Sequence, residues 1–176
     1  MNEFIQMLRI FSPLVSNTNT NETKRTIITR LKFIGTIQPH EKIDSRTLKV
    51  ESPTIFTPLK RFLYGDSRDT TVHFFSSTID RAFEIVDANI NSSKTSDKMF
   101  CANIIADLVN SIKGLNAAQQ TYSDDKLIVC ELETITESIQ RKIYELQKQH
   151  PDIFTLNQLS LNDNINKTIP DIEKQL

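Results

Sequence analysis

The sequence predicts a mainly α fold: an antiparallel up-down helical bundle of three long helices plus shorter helices. An irregular basic segment, with room for one short strand, and extended terminal arms complete it. Three observations predict this. Apolar residues recur at helical spacing through residues 70–90, 96–113 and 125–149. Only three glycines occur in the chain, too few turn formers for a large sheet. Short polar turns join the three stretches, and helices so joined normally pack antiparallel.

From the N-terminus, Phe4, Met7, Leu8, Phe11 and Val15 form one apolar helical stripe, which Pro13 limits. "SNTNTNET" follows as a polar linker whose side chains compete with helix hydrogen bonding. Residues 1–21 are therefore expected to be an arm and linker, 22–150 a helical domain, and 151–176 a tail. Within the domain, 22–68 is the basic irregular part and 69–150 the acidic bundle.

"TKRTIITRLKFIGTI" fits two periods. Ile27, Leu31 and Ile34 suit a helix with Gly35 near its stop; Leu31, Phe33, Gly35 and Ile37 suit a strand. Helix is favoured. "HEKIDSRTLKVESP" then reads as extended, with a short strand at Thr47–Val50. Pro58 opens a short helix that Gly65 stops.

Val72, Phe75, Ile79, Ala82, Phe83, Val86 and Ile90 share one helical face, with Asp69 or Thr70 as its cap. The next helix takes Ser96 as cap and Gly114 as stop signal, and "LNAAQQTYSDD" either extends it or forms a separate piece. Its broad face of Phe100, Cys101, Ile104, Ile105, Leu108 and Ile112 implies more than one neighbour. The last long helix carries the narrowest stripe: Ile128, Leu132, Ile135, Ile139, Ile143 and Leu146. Asp124 and Asp125 suit its positive end, and Pro151 ends it. Leu156, Leu159 and Leu161 give the tail apolar contact points.

The formal net charge of -1 hides a split. Residues 22–68 hold ten Lys/Arg against five Asp/Glu, and 69–176 hold ten against sixteen. The two parts suit each other within the fold, or partners of opposite charge. Lys24, Arg25, Arg30, Lys32, Lys42, Arg46, Lys49, Lys60 and Arg61 are the candidate partner-binding cations, with Arg68 beside them. Phe33, Phe56, Phe62 and Tyr64 interleave with them, a mixture that can grip phosphates and stack bases. The scattered acids and the lack of a nucleic-acid-reading motif favour a protein partner, leaving nucleic acid as the alternative.

No glycine-rich phosphate cradle, HExxH or GxSxG occurs. His40 beside Glu41 could serve acid–base work but reads as a solvated loop pair; His73 and His150 read as helix-end residues. Cys101 lies on an apolar face, and Cys130 is either a second contact surface or an exposed thiol. Glu131 and Glu133 belong to a solvated face. The cysteine spacing implies neither a zinc framework nor a disulfide scaffold, and no cofactor is expected. Glu3 and Arg9 break any signal-peptide core, and no 18-residue apolar run exists, so an intracellular, reducing location without a membrane span is expected. Abundant Ile and Asn suit an AT-rich genome.

Three stretches, "FIGTIQPHEKID", "RFLYGDSRDTTVHFFSSTIDRAFEIV" and "GLNAAQQTYSDDKLIVCELETI", together resemble a family of small helical proteins of nucleocytoplasmic large DNA viruses. The resemblance covers roughly residues 27–145. It implies a virion-associated protein, such as a minor capsid component of particle and host cytoplasm, with capsid proteins or its own copies as partners. It implies no active-site residues.

Overall fold

The computed structural model describes residues 21–44, 48–50 and 67–155, and within these the chain is mainly helical. Helix α1 spans Asn21–Thr36. Two antiparallel two-residue strands follow, β1 (Ile43–Asp44) and β2 (Lys49–Val50), with Ile43 opposite Val50. Then come α2 (Ser67–Asn89), α3 (Thr95–Thr121), α4 (Lys126–Gln149) and the short α5 (Pro151–Thr155).

The ambiguous stretch is helical because Ile27, Leu31, Ile34 and Ile37 all enter the core, while Phe33 and Gly35 are only half-covered. Burial at three- and four-residue spacing fits a helix and not a pleat. The favoured helix is the one that forms: α1 is a core helix, packed on α2 and α3, so the basic part 22–68 is regular through Thr36. Burying each of its large aliphatic side chains contributes about 1.5–3 kcal/mol. The turn after α1 has Pro39 at its second position and His40 at its third, with Glu41 N–H donating to Gln38 O at 3.2 Å. His40 has φ 69°, so the corner follows the type II pattern, with Pro presetting the first central dihedral. A second positive φ, 52° at Leu48, reverses the chain into β2. The expected strand is therefore shorter than Thr47–Val50, and its partner is β1.

Helix α2 begins at Ser67, so Asp69 and Thr70 lie inside it rather than cap it. Its predicted face is buried except at Val72, which is half-covered, and Phe74, Thr78 and Ile85 widen it. Helix α3 starts at Thr95 with Lys94 at the cap position and no side-chain cap, so Ser96 sits in the first turn. The bend before it is held by Ser92, whose hydroxyl donates to Asp97 Oδ2 at 2.6 Å.

Gly114 does not stop α3, which continues to Thr121. The glycine marks a helix crossing. A Cβ there would collide with the carbonyl oxygen of Ile34 on α1 and lie 2.7 Å from its carbonyl carbon. Only a residue without a Cβ admits α1 this closely. The broad α3 face is buried on several sides because α1, α2 and α4 all pack on it.

Asp125 caps α4, its Oδ1 accepting from Leu127 N at 3.2 Å and Ile128 N at 3.3 Å. Five of the six predicted stripe residues are buried, Ile135 being half-covered. Pro151 ends α4 and opens α5, where a missing N–H costs nothing. Ile153 and Phe154 then enter the core, so the packed body extends beyond residue 150 to Thr155. Lys98 on α3 reaches Asp152 on α5 at 2.6 Å. Among the described residues no helix is long and apolar enough to cross a membrane.

Candidate functional site

From residue 23 to 40 the chain carries Lys24, Arg25, Arg30 and Lys32 and no carboxylate. Helix α1 distributes these four unequally. Its buried line through Ile27, Leu31 and Ile34 divides the wheel. Lys24 and Arg30 fall on opposite flanks of that line, and Arg25 and Lys32, two turns apart, share the solvent side. The flanking pair is absorbed by the body. Lys24 Nζ lies 5.3 Å from the centroid of the Phe100 ring on α3, and the Arg30 guanidinium lies 5.7 Å from that of Phe74 on α2. Such contacts stabilise by about 0.5–1 kcal/mol each at exposed sites. Phe33 meets Phe74 edge-on at 6.4 Å, which extends the aromatic seat.

Arg25 and Lys32 are exposed, as is Thr29 between them. The Thr29 hydroxyl donates to Arg25 O at 2.9 Å, inside its own helix. Lys42 is exposed beyond the turn. Lys49 lies in β2, its side chain outside the description. Arg46, Lys60 and Arg61 lie outside the described residues, as do Phe4, Met7, Leu8, Phe11, Leu156, Leu159 and Leu161. The structure therefore brings Arg25 and Lys32 together as an outward cationic line and turns Lys24 and Arg30 inward. The aromatic seats Phe74 and Phe100 are absent from the sequence-level set. The six-residue spacing of Lys24 and Arg30, which separates them around a helix, was the available signal.

One carboxylate answers this line from within. Asp107 on α3 is half-buried, and burial raises its pKa while the Lys32 charge lowers it. Glu41 does not orient His40. Its Oε2 accepts from Gln38 N at 3.0 Å and closes the turn. His40 and His73 are exposed, and the His150 N–H caps the end of α4 on Leu146 O.

Cys101 is fully buried, its Sγ 3.8 Å from Val86 O, and burial pushes its thiol up to about 11. A thiol so placed is a core residue, since the thiolate is the reactive form. Cys130 is exposed on α4. Among the described residues no group of three or more His, Cys, Asp or Glu is placed to hold a metal ion.

Comparison with protein-family models, curated proteins and solved structures gives no match.

Proposed function

We propose that this chain is a non-enzymatic helical interaction protein, docking onto another protein through the cationic face of α1, and a minor capsid or assembly component of a viral particle. One observation carries the docking reading: Arg25 and Lys32 stand two turns apart on a helix whose opposite side is fully buried. A rigid, core-anchored helix loses little freedom on binding, so its charges act as a pre-organised pair. The viral reading rests on the family resemblance of residues 27–145, and with it come location in virion and host cytoplasm and capsid proteins as partners.

The scaffold reads as an up-down bundle. Cys101 near the start of α3 meets Val86 near the end of α2, and Lys98 meets Asp152 just past the end of α4. Both pairs suit α3 running against its two sequence neighbours.

The test is quantitative mass spectrometry of purified particles, comparing wild type with the Arg25→Glu, Lys32→Glu double variant. Wild type is expected in particles at a fixed ratio to the major shell protein, and the variant depleted. Absence of the wild-type chain from particles overturns the particle reading. A nucleic-acid-binding role would instead show as DNA affinity that falls steeply with salt. With Lys24 and Arg30 seated on the chain's own rings, few cations in the described part of the segment remain for phosphates.

A further inference from the structure

We propose that the apolar line Phe4, Met7, Leu8 and Phe11 folds back as a helix onto the start of α3 and covers Met99 of its own chain. This contact goes beyond the docking face of α1 and does not depend on it. Met99 is 54% exposed, and Leu127 is the one other large apolar side chain so open among the described residues. Methionine is unbranched and polarisable, adapts to what covers it, and its sulfur makes favourable contacts with aromatic rings. Phe4 and Phe11 bring two such rings.

Met99 stands beside a half-open apolar seam. Asn103 and Ala106 follow it at four- and three-residue spacing, so the three make one line on the outer side of α3. Ala106 is half-buried. Helices α1 and α3 lie side by side and point the same way: Lys24 meets Phe100 near their starts, and Gly35 lies against Asn110 towards the end of α1. Ile28 shares the flank of α1 that carries Lys24 and Gly35, and both Ile28 and Phe100 are half-buried. Asn103 bridges the bearings of Met99 and Phe100, about 40° from the first and about 60° from the second around the helix. The half-open Ile28 and Phe100 therefore edge the strip on which Met99 and Ala106 lie.

The point at which the chain enters the body selects the occupant. Helix α1 begins at Asn21, and its first turn holds Lys24, whose Nζ lies 5.3 Å from the ring of Phe100, the neighbour of Met99. The twenty residues before Asn21 therefore join the body beside the open strip. Ten residues carry the chain from Phe11 to Asn21, a reach of up to about 35 Å, so the linker can set the line down on the start of α3. A segment on a short tether meets its seat at an effective concentration on the order of millimolar, so a strip of modest area is enough. Glu3 and Arg9 lie off the apolar line, so seating it buries no charge. The tail leaves from the same end, since Lys98 holds α5 to α3 through Asp152. Its Leu156, Leu159 and Leu161 make no line of comparable length, and the pattern selects the arm.

The test is oxidation of the full chain by dilute hydrogen peroxide, read residue by residue with peptide mass spectrometry. Methionine oxidation tracks exposure. The chain holds three methionines, Met1, Met7 and Met99, and each is referenced to its own rate in urea. With the line seated, Met7 and Met99 should both react at least about tenfold slower than unfolded, and Met1 should serve as the open control. In the variant Phe4→Ser, Leu8→Ser, Phe11→Ser, Met7 should reach its unfolded rate. Met99 should then rise to about half its own, as its 54% exposure implies. Met99→Glu is the reciprocal variant and should free Met7 in an otherwise unchanged arm. Met99 is exposed and the arm lies outside the buried core, so each variant should keep the wild-type circular dichroism.

Wild-type Met99 reacting at about half its unfolded rate overturns the proposal. Protection of Met99 that survives the arm variant overturns it too, and assigns the strip to another segment such as the tail. So does a Met7 that stays protected in Met99→Glu. Protection lost on about tenfold dilution also overturns it, and gives the seat to the arm of a second copy.

Discussion

Replacing Gly114 by alanine separates two accounts of that glycine. If it were a weak helix stop, alanine would stabilise, because glycine inside a helix costs about 1 kcal/mol relative to alanine. At the crossing the sign reverses. The added Cβ would lie 2.7 Å from the Ile34 carbonyl carbon and collide with its oxygen. Carbon atoms pack at about 3.5–4.0 Å, so α1 and α3 must separate by roughly 1 Å. A gap of that size forfeits a quarter to a half of each pairwise attraction along the crossing. The obstacle is backbone, so no side-chain rotation relieves it. Overpacking typically costs about 1–3 kcal/mol, and this geometry belongs at the upper end. Subtracting the propensity gain leaves a net loss of about 2 kcal/mol. Urea unfolding followed by circular dichroism should show a lower midpoint at unchanged slope. Gly35→Ala is the matched control: its Cβ would find Asn110 O at 3.5 Å, an ordinary contact, and stability should hold or rise slightly. A Gly114→Ala protein as stable as wild type would refute the close crossing.

Asp125→Ala removes the cap that accepts from Leu127 and Ile128 and should cost about 1 kcal/mol in the same urea assay. Asp107→Asn should stabilise the protein at neutral pH. Burial raises the folded-state pKa of Asp107, so its charged form is disfavoured in the folded state, and stability is lost as pH rises from the ordinary carboxylate range through the raised value. The gain should therefore vanish at acid pH, where both forms are neutral. A gain that persists there would show that charge burial is not its cause.

Much of this fold was legible because its signals are local. The α4 stripe from Ile128 to Leu146 follows one period without interruption, and Asp125 caps it as an acidic first residue should. What was not legible depended on contacts distant in sequence. Gly114 carries a local meaning, weak helix propensity, that its distant neighbour Ile34 overrides. Residues 31–37 fit two periods at once, and only the packing of Ile27 and Ile34 against α3 decides between them. Pro151 was legible as an end but not as a beginning, since α5 exists because Ile153 and Phe154 find room in the core. For the site, counting cations treated Lys24 and Arg25 alike. Their roles separate only when Phe100 is seen under one of them.

The crossing of α1 and α3 also dictates an order of events. Ile34 and Gly114 are eighty residues apart, whereas α2, α3 and α4 are joined by short turns. Contacts between close neighbours form before those that close long loops. The α3 part of the surface that receives the apolar line of α1 does not exist until α3 has been made. On a ribosome adding about 5–20 residues per second, α1 emerges roughly 4–16 s before the residue it crosses. During that interval its apolar line has only α2 to rest on, so α1, the first described helix to be synthesised, waits for α3 before its seat is complete.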